Sequence, residues 1–371
     1  MTTVLVTGGA GFIGSHLVDA LVQRGHAVRV LDAFDPQVHG RTRPDHLNPN
    51  AECLEGDVRD RAMLRQALRG IDVVFHEAAA VGVGQSMYEI ERYVSANALG
   101  TATLLDVLVN DRVPITKLIV ASSMSIYGEG QYDCASCGPV APPLRPAEQL
   151  AAREWEMRCP TCERPATPAP TSEAKPLIPT SVYAVTKRDQ EELCLSVGRS
   201  YRLPTVALRY FNVYGTRQAL SNPYTGVCAI FSARIKHRRR PIVFEDGAQT
   251  RDFTHVRDIV QANLLAMTNT RADDQALNVG TGRAVSIGEI GRLLAELYEE
   301  PVTPEITGKF RAGDIRHCYA DISAIQALGF TPSMALEDGL RELVEWGKVV
   351  AAEDRVEAAA KELEVRGLTQ G

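Results

Sequence analysis

The sequence predicts an α/β protein built on a doubly wound parallel sheet. Two observations predict this fold: short apolar, β-branched segments alternate with helical segments from residue 3 to about residue 121, and a glycine-rich turn joins the first strand to the first helix. The predicted strands are Val4–Thr7, Ala27–Leu31, Ala51–Glu55, Val73–His76 and Leu118–Ser122. The predicted helices include Ser15–Arg24, Arg61–Leu68 and Asn97–Val109.

The length of 371 residues suits one large or two closely joined domains. We expect a dinucleotide-binding domain from residues 1–128 and 177–213, which includes a helix at 181–201 and a strand at 204–209. A segment rich in Pro and Cys, residues 129–176, interrupts it as an insertion. Residues 214–345 are expected to form mainly a smaller α/β substrate-binding lobe, and residues 346–371 a C-terminal helix and tail. A charged amphipathic pattern predicts one long helix over 336–365.

The net charge is −6, and the sequence contains no basic stripe, which argues against nucleic acid and anionic membranes as partners. No apolar run approaches the ~18–20 residues that span a bilayer. The N-terminal residues lack the pattern of a signal peptide and begin a strand directly. We therefore expect a protein of the reducing cytoplasm.

The glycine-rich turn has the spacing G-x-x-G-x-x-G, from Gly8, Gly11 and Gly14. Glycines there allow a tight turn and let backbone N–H groups approach a pyrophosphate at the positive end of the helix. Asp32 ends the second strand, where a carboxylate can hold ribose hydroxyls and repel a 2′-phosphate; the alternative is an ordinary turn aspartate. The sequence therefore favours NAD over NADP.

Two further segments lie where the same cofactor would bind. Asp57 follows the third strand and could accept a hydrogen bond from the adenine amino group, cap the next helix, or do both. The segment HEAAAVG, residues 76–82, follows the fourth strand. Its small side chains would let a flat cofactor lie against the backbone, although close helix–sheet packing also requires such residues.

Tyr183 and Lys187 lie four residues apart near the start of a predicted helix, so their side chains share one face. A nearby ammonium lowers the pKa of a phenol, which suits the tyrosine to general acid–base chemistry near neutral pH. The same spacing is common on surface helices. Ser123 shifts the balance towards function, because it ends a strand where its hydroxyl can bridge a substrate oxygen and the tyrosine.

These segments together resemble the extended short-chain dehydrogenases/reductases of the NAD-dependent epimerase/dehydratase family, which modify nucleotide sugars. The resemblance rests on TGGAGFIG, GDVRD, HEAA, SSMSIYG, YAVTK and RYFNVYG, and it runs from residue 1 to about 345 apart from the insertion. It implies a Rossmann-type domain with a catalytic triad of Ser123, Tyr183 and Lys187. The NAD contacts that it implies are Gly8, Gly11, Phe12, Ile13, Gly14, Asp32, Asp57, Val58, Ala78, Ala79, Ala80, Asn97, Tyr183, Lys187 and Tyr210. The substrate contacts that it implies are Val83, Ser123, Asn212, Arg251, Arg311 and Asp314.

Two arginines match family segments that bind the diphosphate of the nucleotide sugar. Arg251 lies in QTRDFTHVRD, and Arg311 with Asp314 lies in RAGD. Guanidinium forks suit phosphate oxygens in both charge and geometry. For either arginine the alternative is a surface ion pair, such as Arg311 with Asp314.

The resemblance implies that Tyr183 deprotonates the sugar 4-hydroxyl while hydride passes from carbon 4 to NAD+. The family's 4,6-dehydratases carry an Asp–Glu pair directly after the catalytic serine or threonine, where this sequence has Met124 and Ser125. Methionine cannot transfer a proton, and related decarboxylases carry a glutamate at the position of Ser125. This leaves 4-epimerisation with tightly bound NAD. The alternatives are a 4-ketoreductase or dehydrogenase, and a zinc-stabilised NAD-binding scaffold without activity. The resemblance also implies a homodimer through the helices at about 97–110 and 181–201.

Four of the eight cysteines form two Cys-x-x-Cys pairs within the insertion, Cys134 with Cys137 and Cys159 with Cys162. Two such pairs are typical of a structural zinc site, although the gap of residues 138–158 slightly exceeds the usual spacing; free thiols or a disulfide are the alternatives. The insertion separates Ser123 from Tyr183 and could form a wall or lid over the sugar. With SSMSIYGEG before it, the insertion resembles that of the dTDP-L-rhamnose 4-epimerases, which implies a dTDP-linked 6-deoxyhexose as substrate.

Overall fold

The computed structural model describes residues 1–40, 43–311 and 313–370, and its N-terminal part alternates strands with helices. The first five strands are β1 (Thr3–Thr7), β2 (Ala27–Asp32), β3 (Glu52–Glu55), β4 (Val73–His76) and β5 (Lys117–Ser123). The helices of this part are α1 (Phe12–Gln23), α2 (Pro36–His39), α3 (Arg61–Ala67), α4 (Val83–Ser86), α5 (Ile90–Tyr93), the π-helix Val94–Leu99 and α6 (Gly100–Asn110). The predicted strands and helices are confirmed to within a few residues at their ends.

The insertion forms a small sheet of its own. Its strands are β6 (Gln131–Cys134), β7 (Gly138–Val140) and β8 (Thr167–Ala169), with β6 in the centre and antiparallel to both neighbours, and its helix is α7 (Ala147–Ala151). Tyr132, Met157 and Ala166 are buried together as its core. The two cysteine pairs thus lie on a compact unit that follows the end of β5.

The rest of the chain begins with the long helix that carries Tyr183 and Lys187. Its elements are α8 (Val182–Tyr201), β9 (Thr205–Tyr210), β10 (Asn212–Tyr214), α9 (Val227–Lys236), β11 (Ile242–Val243), β12 (Thr250–Arg251), β13 (Phe253–His255), α10 (Val256–Thr268), β14 (Ala276–Val279), β15 (Val285–Ser286), α11 (Ile287–Tyr298), β16 (Glu305–Ile306), β17 (Phe310–Arg311), β18 (His317–Cys318), α12 (Ser323–Gln326), α13 (Leu336–Val349), α14 (Val356–Val365) and β19 (Thr369–Gln370). Short 3-10 helices cover Met124–Tyr127 and Thr270–Ala272.

The central sheet has seven parallel strands in the order β14-β9-β5-β4-β1-β2-β3. The strand order reverses between β1 and β4, and parallel sheets of this kind bind ligands in the crevice at that point. The side chains of β1 alternate between two buried layers, with Val4 and Val6 in one and Leu5 in the other. Because helices cover both faces, the strands are apolar on both sides, which explains why their sequences are nearly continuous hydrophobic runs.

The seventh strand comes from the part of the chain that was expected to form mainly the substrate-binding lobe. β14 pairs with β9 in parallel, with Leu277 opposite Leu208. Both leucines are buried in the same core as Val6. The sequence of this strand is as apolar as the others, and its pairing covers the edge that β9 would otherwise expose. The lobe has a core of its own, which includes Phe231 and Leu340.

The single helix predicted over residues 336–365 is wrong: the chain forms α13 and α14 with an extended segment between them. Val350, which directly follows α13, has an extended backbone with ψ of 146°. The carboxylate of Asp354, whose side chain is 2% exposed, pairs with Arg234 and Arg239 at 3.4 and 3.1 Å. These ion pairs hold the connecting segment against α9, which a continuous helix would not allow. Within the described ranges, no helix is both long and apolar enough to cross a membrane.

Candidate active site

The turn between β1 and α1 allows very close approach of backbone. Gly8 has a φ of +70°, and a Cβ atom at Gly8 would lie 2.8 Å from the Cα atom of Ala78. A Cβ atom at Gly14 would lie 2.2 Å from the Gly8 carbonyl oxygen. A Cβ atom added at Gly11 would lie 3.3 Å from the Gly8 carbonyl oxygen, its nearest neighbour, so this position is less crowded. Gly11 precedes the first turn of α1, which contains Phe12 and Ile13, and this arrangement fits a pyrophosphate at the helix N-terminus.

Asp32 lies beside this turn at the end of β2, where its side chain is almost buried. Its Oδ2 atom accepts a hydrogen bond from the Ala10 N–H at 3.0 Å, and its Oδ1 atom accepts one from the Phe34 N–H at 2.9 Å. These two bonds fix the carboxylate next to the glycine turn. The geometry therefore fits the ribose-binding role expected for Asp32 in an NAD site.

Asp57 follows β3 and forms an ion pair with Arg59 at 2.6 Å. The side-chain hydrogen bond from Arg59 lowers the pKa of Asp57. The alternative that Asp57 caps the next helix is wrong, because α3 begins at Arg61 and Asp60 accepts the capping hydrogen bonds. The neighbouring Val58 is buried beneath Gly100, where an added Cβ would lie 2.7 Å from it.

The loop after β4 is held in place by Asn97. The Asn97 side chain is fully buried, accepts from the Ala80 N–H at 2.7 Å and donates to the Ala80 carbonyl at 3.0 Å. It also donates to Thr186 Oγ1 at 2.9 Å. Asn97 lies in the π-helix, and such bulges frequently occur at functional sites. Asn97 therefore connects the loop of Ala78, Ala79 and Ala80 to α8, which carries the tyrosine.

Ser123 ends β5 and faces the start of α8. Its Oγ atom accepts hydrogen bonds from the Ser125 hydroxyl at 2.9 Å and the Ser125 N–H at 3.2 Å, so its own proton remains to be donated. The Ser123 hydroxyl lies close enough to the phenol of Tyr183 to lower the pKa of that phenol. The backbone N–H of Tyr183 donates to Ser86 Oγ at 3.0 Å, which fixes the first turn of α8. The structure thus brings together the serine and tyrosine that are 60 residues apart in the sequence.

Lys187 lies one turn further along α8 and is 3% exposed. Its Nζ atom donates to the Ala121 carbonyl at 2.6 Å and to Gln190 Oε1 at 2.9 Å. Burial lowers the pKa of Lys187 to about 8. Burial also raises the pKa of Tyr183, and the nearby Ser123 hydroxyl opposes that shift. The expected lowering of the phenol pKa is therefore wrong for the protein alone, because the ammonium binds protein oxygens and burial dominates.

Glu77 is a site residue that the sequence analysis did not single out. Its Oε1 atom accepts a hydrogen bond from the Tyr210 hydroxyl at 2.8 Å, and that hydroxyl accepts one from Asn263 at 2.7 Å. Burial raises the pKa of Glu77 to about 7, while the charge of Lys187 opposes the shift. Its position directly before the small residues 78–80 was the available signal. Tyr210, expected to contact NAD, thus lies beside a carboxyl group that titrates near neutral pH.

Asn212 offers an acceptor that the described part of the chain leaves unused. Its backbone N–H donates to the Asp252 carbonyl at 2.9 Å, which fixes the residue at the start of β10. Its Oδ1 atom is buried without a hydrogen-bond partner among the described residues. Buried polar atoms are usually paired, so an unpaired one fits a ligand contact.

Arg251 and Arg311 both lie on short strands of the lobe. The guanidinium of Arg251 donates to the carbonyls of Thr250, Ile315 and Arg316 at 2.7 to 3.0 Å, and these bonds fix its direction. Arg311 forms the ion pair with Asp314 that was considered as the alternative, at 2.8 Å, and its guanidinium lies 4.6 Å from the centre of the Phe244 ring. Val83, the remaining predicted contact, begins α4 and is 43% exposed.

The four cysteines of the insertion come together. Their sulfur atoms all lie within 4.8 Å of one another, and those of Cys134 and Cys162 are 3.5 Å apart. Tetrahedral zinc with Zn–S bonds of about 2.3 Å requires sulfur separations of roughly 3.8 Å. The arrangement therefore fits a four-cysteine zinc site in both ligand type and spacing.

Comparison with known proteins agrees with this geometry. The sequence matches the model of the NAD dependent epimerase/dehydratase family over residues 4–151 and 160–280. It is 35% identical to the dTDP-L-rhamnose 4-epimerase of Burkholderia thailandensis over 347 residues, which cover 92% of this chain and 94% of that protein. It is 30% identical to the UDP-glucose 4-epimerase of Halalkalibacterium halodurans over 366 residues, which cover 93% and 95%.

Solved structures show the same similarity. The UDP-glucose 4-epimerase of Thermotoga maritima, solved with UDP-glucose, aligns with a TM-score of 0.76 at 31% identity, covering 93% of this chain and 98% of that one. The UDP-glucuronic acid 4-epimerase of Bacillus cereus, solved with UDP-glucuronic acid and NAD, aligns with a TM-score of 0.76 at 27% identity, covering 93% and 99%. The chain belongs to the NAD-dependent epimerase/dehydratase family, as the sequence motifs indicated. The two curated relatives described above are 4-epimerases, which confirms the prediction of an enzyme of the isomerase class.

Proposed function

We propose that this enzyme is an NAD-dependent nucleotide-sugar 4-epimerase acting on a dTDP-linked 6-deoxyhexose such as dTDP-L-rhamnose. The observation that carries the proposal is the arrangement of Ser123, Tyr183 and Lys187 without an acidic pair after the serine. Met124 is buried, and the Ser125 hydroxyl is hydrogen-bonded to Ser123 itself. These two positions therefore offer no acid or base for dehydration or decarboxylation.

The chain's own residues supply the proton transfer. Ser123 donates a hydrogen bond towards the sugar 4-oxygen, and Tyr183 takes the proton from the 4-hydroxyl and later returns it. Lys187 holds a positive charge below a pH of about 8. In the protein alone burial dominates the Tyr183 pKa, and we propose that the ammonium favours the phenolate once NAD and the sugar fill the site. Bound NAD supplies the hydride acceptor and donor for carbon 4. Epimerisation through a 4-keto sugar would require the residues around Gly8, Gly14 and Asp32 to keep NAD bound while the sugar turns over in the site.

The remaining predicted contacts have assigned roles in this proposal. Gly8, Gly11, Gly14 and Asp32 hold the pyrophosphate and ribose of NAD, while Asn97 and Glu77 position the loop and Tyr210 beside it. Arg251 and Arg311 bind the diphosphate of the sugar nucleotide, and Asn212 Oδ1 accepts a hydrogen bond from a hydroxyl group of the sugar nucleotide. The choice of dTDP-L-rhamnose rests on the cysteine-bearing insertion and on the 35% identity to the dTDP-L-rhamnose 4-epimerase. Other relatives act on UDP-sugars, so the experiment must compare the two classes.

Two further features are proposed with this function. The four cysteines bind one structural zinc ion, which would cross-link β6 to the loop at residues 159–162. Two copies of the chain form a homodimer through the helices at 97–110 and 181–201. The exposed apolar side chains of Val94, Leu99, Val185 and Leu193 lie on or beside these segments, which supports burial of this surface against a second copy.

Proton NMR of the purified protein tests the proposal, with dTDP-L-rhamnose and, separately, UDP-glucose, and no added cofactor. We expect slow conversion of dTDP-L-rhamnose to an equilibrium mixture with its 4-epimer. Conversion of UDP-glucose alone would keep the reaction but replace the substrate. If neither sugar reacts until NAD is supplied, and NADH and a keto sugar then accumulate, the enzyme is a dehydrogenase and the proposal is wrong.

A further inference from the structure

We propose that the C-terminal segment, residues 356–370, is part of the sugar-nucleotide site. We call this segment the C-terminal strap; it comprises α14, β19 and the residues between them. The strap contacts the two walls of the proposed cleft and sets the position of Arg311 and α4, and thereby the affinity for the nucleotide sugar. This inference rests on the proposed function, since the cleft is defined by it.

The strap is anchored at its beginning. Asp354 is buried and pairs with Arg234 and Arg239, both from the region of α9. The backbone N–H of Glu353 donates to Ser221 Oγ at 2.9 Å. These contacts turn the chain away from α13 and fix where α14 begins. The ion pairs of Asp354 therefore fix the direction in which the strap leaves the lobe, so the strap is not a free tail.

The end of the strap pairs with the strand that carries Arg311. β19 runs antiparallel to β17, with Thr369 opposite Arg311. β17 has two residues and β19 is its strand partner in this two-stranded sheet. The Lys309 ammonium lies 4.0 Å from the Glu364 carboxylate, which adds a weak electrostatic contact at the same place. Removal of the strap would leave β17 as an unpaired edge and free the backbone at Arg311.

The middle of the strap packs on the opposite wall. Leu363 is 7% exposed, and a Cβ atom added at Gly84 in α4 would meet its side chain at 3.4 Å. The Arg366 guanidinium lies 4.2 Å from the centre of the Tyr88 ring, within range of a cation–π interaction. Ser86, also in α4, accepts the backbone hydrogen bond of Tyr183. The strap therefore supports the helix that fixes the first turn of α8.

These contacts connect the α4 wall, which leads to Tyr183, with the β17 wall, which carries Arg311. On the cleft side the strap contacts the strand of the predicted substrate contact Arg311 and Gly84, the neighbour of Val83. The hydrogen bonds that fix Ser123 and Lys187 go to Ser125, Ala121 and Gln190 and involve no residue of the strap. Loss of the strap should therefore weaken substrate binding more than it slows the chemical step.

Comparison of the full-length holoenzyme with a variant truncated after Arg355 tests the inference. We expect the KM for dTDP-L-rhamnose to rise at least tenfold, kcat to change by less than threefold, and the amount of co-purified NAD to stay the same. Hydrogen exchange should become faster in peptides that cover 83–88 and 308–311. An unchanged KM together with unchanged hydrogen exchange would overturn the proposal. Loss of co-purified NAD to the same extent as the loss of substrate affinity would also overturn it, because the strap would then support the whole fold.

A matched pair of substitutions covers the case in which the truncated protein fails to fold. Arg366→Ala removes the contact with Tyr88, whereas Lys361→Ala removes an exposed charge from α14, which Arg366 directly follows. We expect a KM increase of about threefold to tenfold for the first and none for the second; equal values for the two would contradict the proposal. If the wild-type enzyme converts neither dTDP-L-rhamnose nor UDP-glucose, the proposed function fails. The hydrogen-exchange comparison still decides whether the strap holds the two walls.

Discussion

Replacing Tyr183 by phenylalanine removes one hydroxyl group from the centre of the proposed site. The ring of Tyr183 packs edge-on against Tyr93, with centroids 6.4 Å apart, and phenylalanine preserves this contact. The backbone hydrogen bond to Ser86 also remains. Lys187 keeps its bonds to the Ala121 carbonyl and Gln190, neither of which involves the phenol. The substitution therefore removes the proton-transfer group while the fold around it stays intact.

The loss of activity follows from the role of that group. A positioned general acid or base typically contributes 10²- to 10⁴-fold to a rate. At about 1.36 kcal/mol for each tenfold, this is roughly 2.7 to 5.4 kcal/mol of transition-state stabilisation. Loss of the interaction between the phenol and Ser123 should change the free energy of unfolding by about 1 kcal/mol at most, because a hydrogen bond contributes only about that much net. Activity and stability should thus respond very differently.

The assay is NMR-monitored conversion of the nucleotide sugar, with the bound NAD quantified in the same preparation. Tyr93→Phe is the matched control, because it removes a hydroxyl from the other ring of the pair, one that donates to Gln85 at 3.0 Å. We expect Tyr183→Phe to lose at least 100-fold in kcat with NAD retained, and Tyr93→Phe to lose less than tenfold. A Tyr183→Phe enzyme that keeps more than a tenth of its activity would refute the assignment of the acid–base group.

Three further predictions concern the charge of Lys187, the zinc ion proposed at the four cysteines and the proposed homodimer. Burial lowers the pKa of Lys187 to about 8 and the Glu77 carboxylate opposes that shift, so the ammonium loses its charge as pH rises through 8. Glu77→Gln removes the opposing charge and should move the alkaline limb of a kcat/KM profile to lower pH. An alkaline limb that does not move would argue against coupling between Glu77 and Lys187. Elemental analysis should find one zinc per chain, lost in Cys137→Ser but kept in Cys53→Ser, which lies outside the cluster; equal metal content in both would exclude the site. Leu99→Glu places a charge on an exposed apolar surface and should convert a dimer to monomers in analytical ultracentrifugation, whereas an unchanged mass would place the interface elsewhere.

Much of the fold was predictable because its signals are local. The strands are short apolar runs buried on both faces, so each is recognisable without knowledge of its neighbours. The glycine turn is equally local, since crowding at Gly8 and Gly14 excludes a side chain at either position. Tyr183 and Lys187 lie on one helix, and the spacing alone places them on one face.

Other features depend on contacts between distant parts of the chain. The pKa of Glu77 rises to about 7 because tertiary packing buries its carboxyl group, and the charge of Lys187, 110 residues away in sequence, opposes that shift. The break between α13 and α14 depends on Asp354 meeting Arg234, which the helical pattern does not reveal. The pairing of Thr369 with Arg311 likewise joins two segments that show no common signal in the sequence. Periodicity predicts elements, but these details follow only from their packing.

The most direct test of the account is epimerisation of dTDP-L-rhamnose in D2O without added NAD. The account predicts a mixture of the two 4-epimers in which carbon 4 keeps its original protium, because the hydride leaves and returns within one active site. Deuterium at carbon 4 of the product would contradict it, since the hydrogen would then have come from solvent.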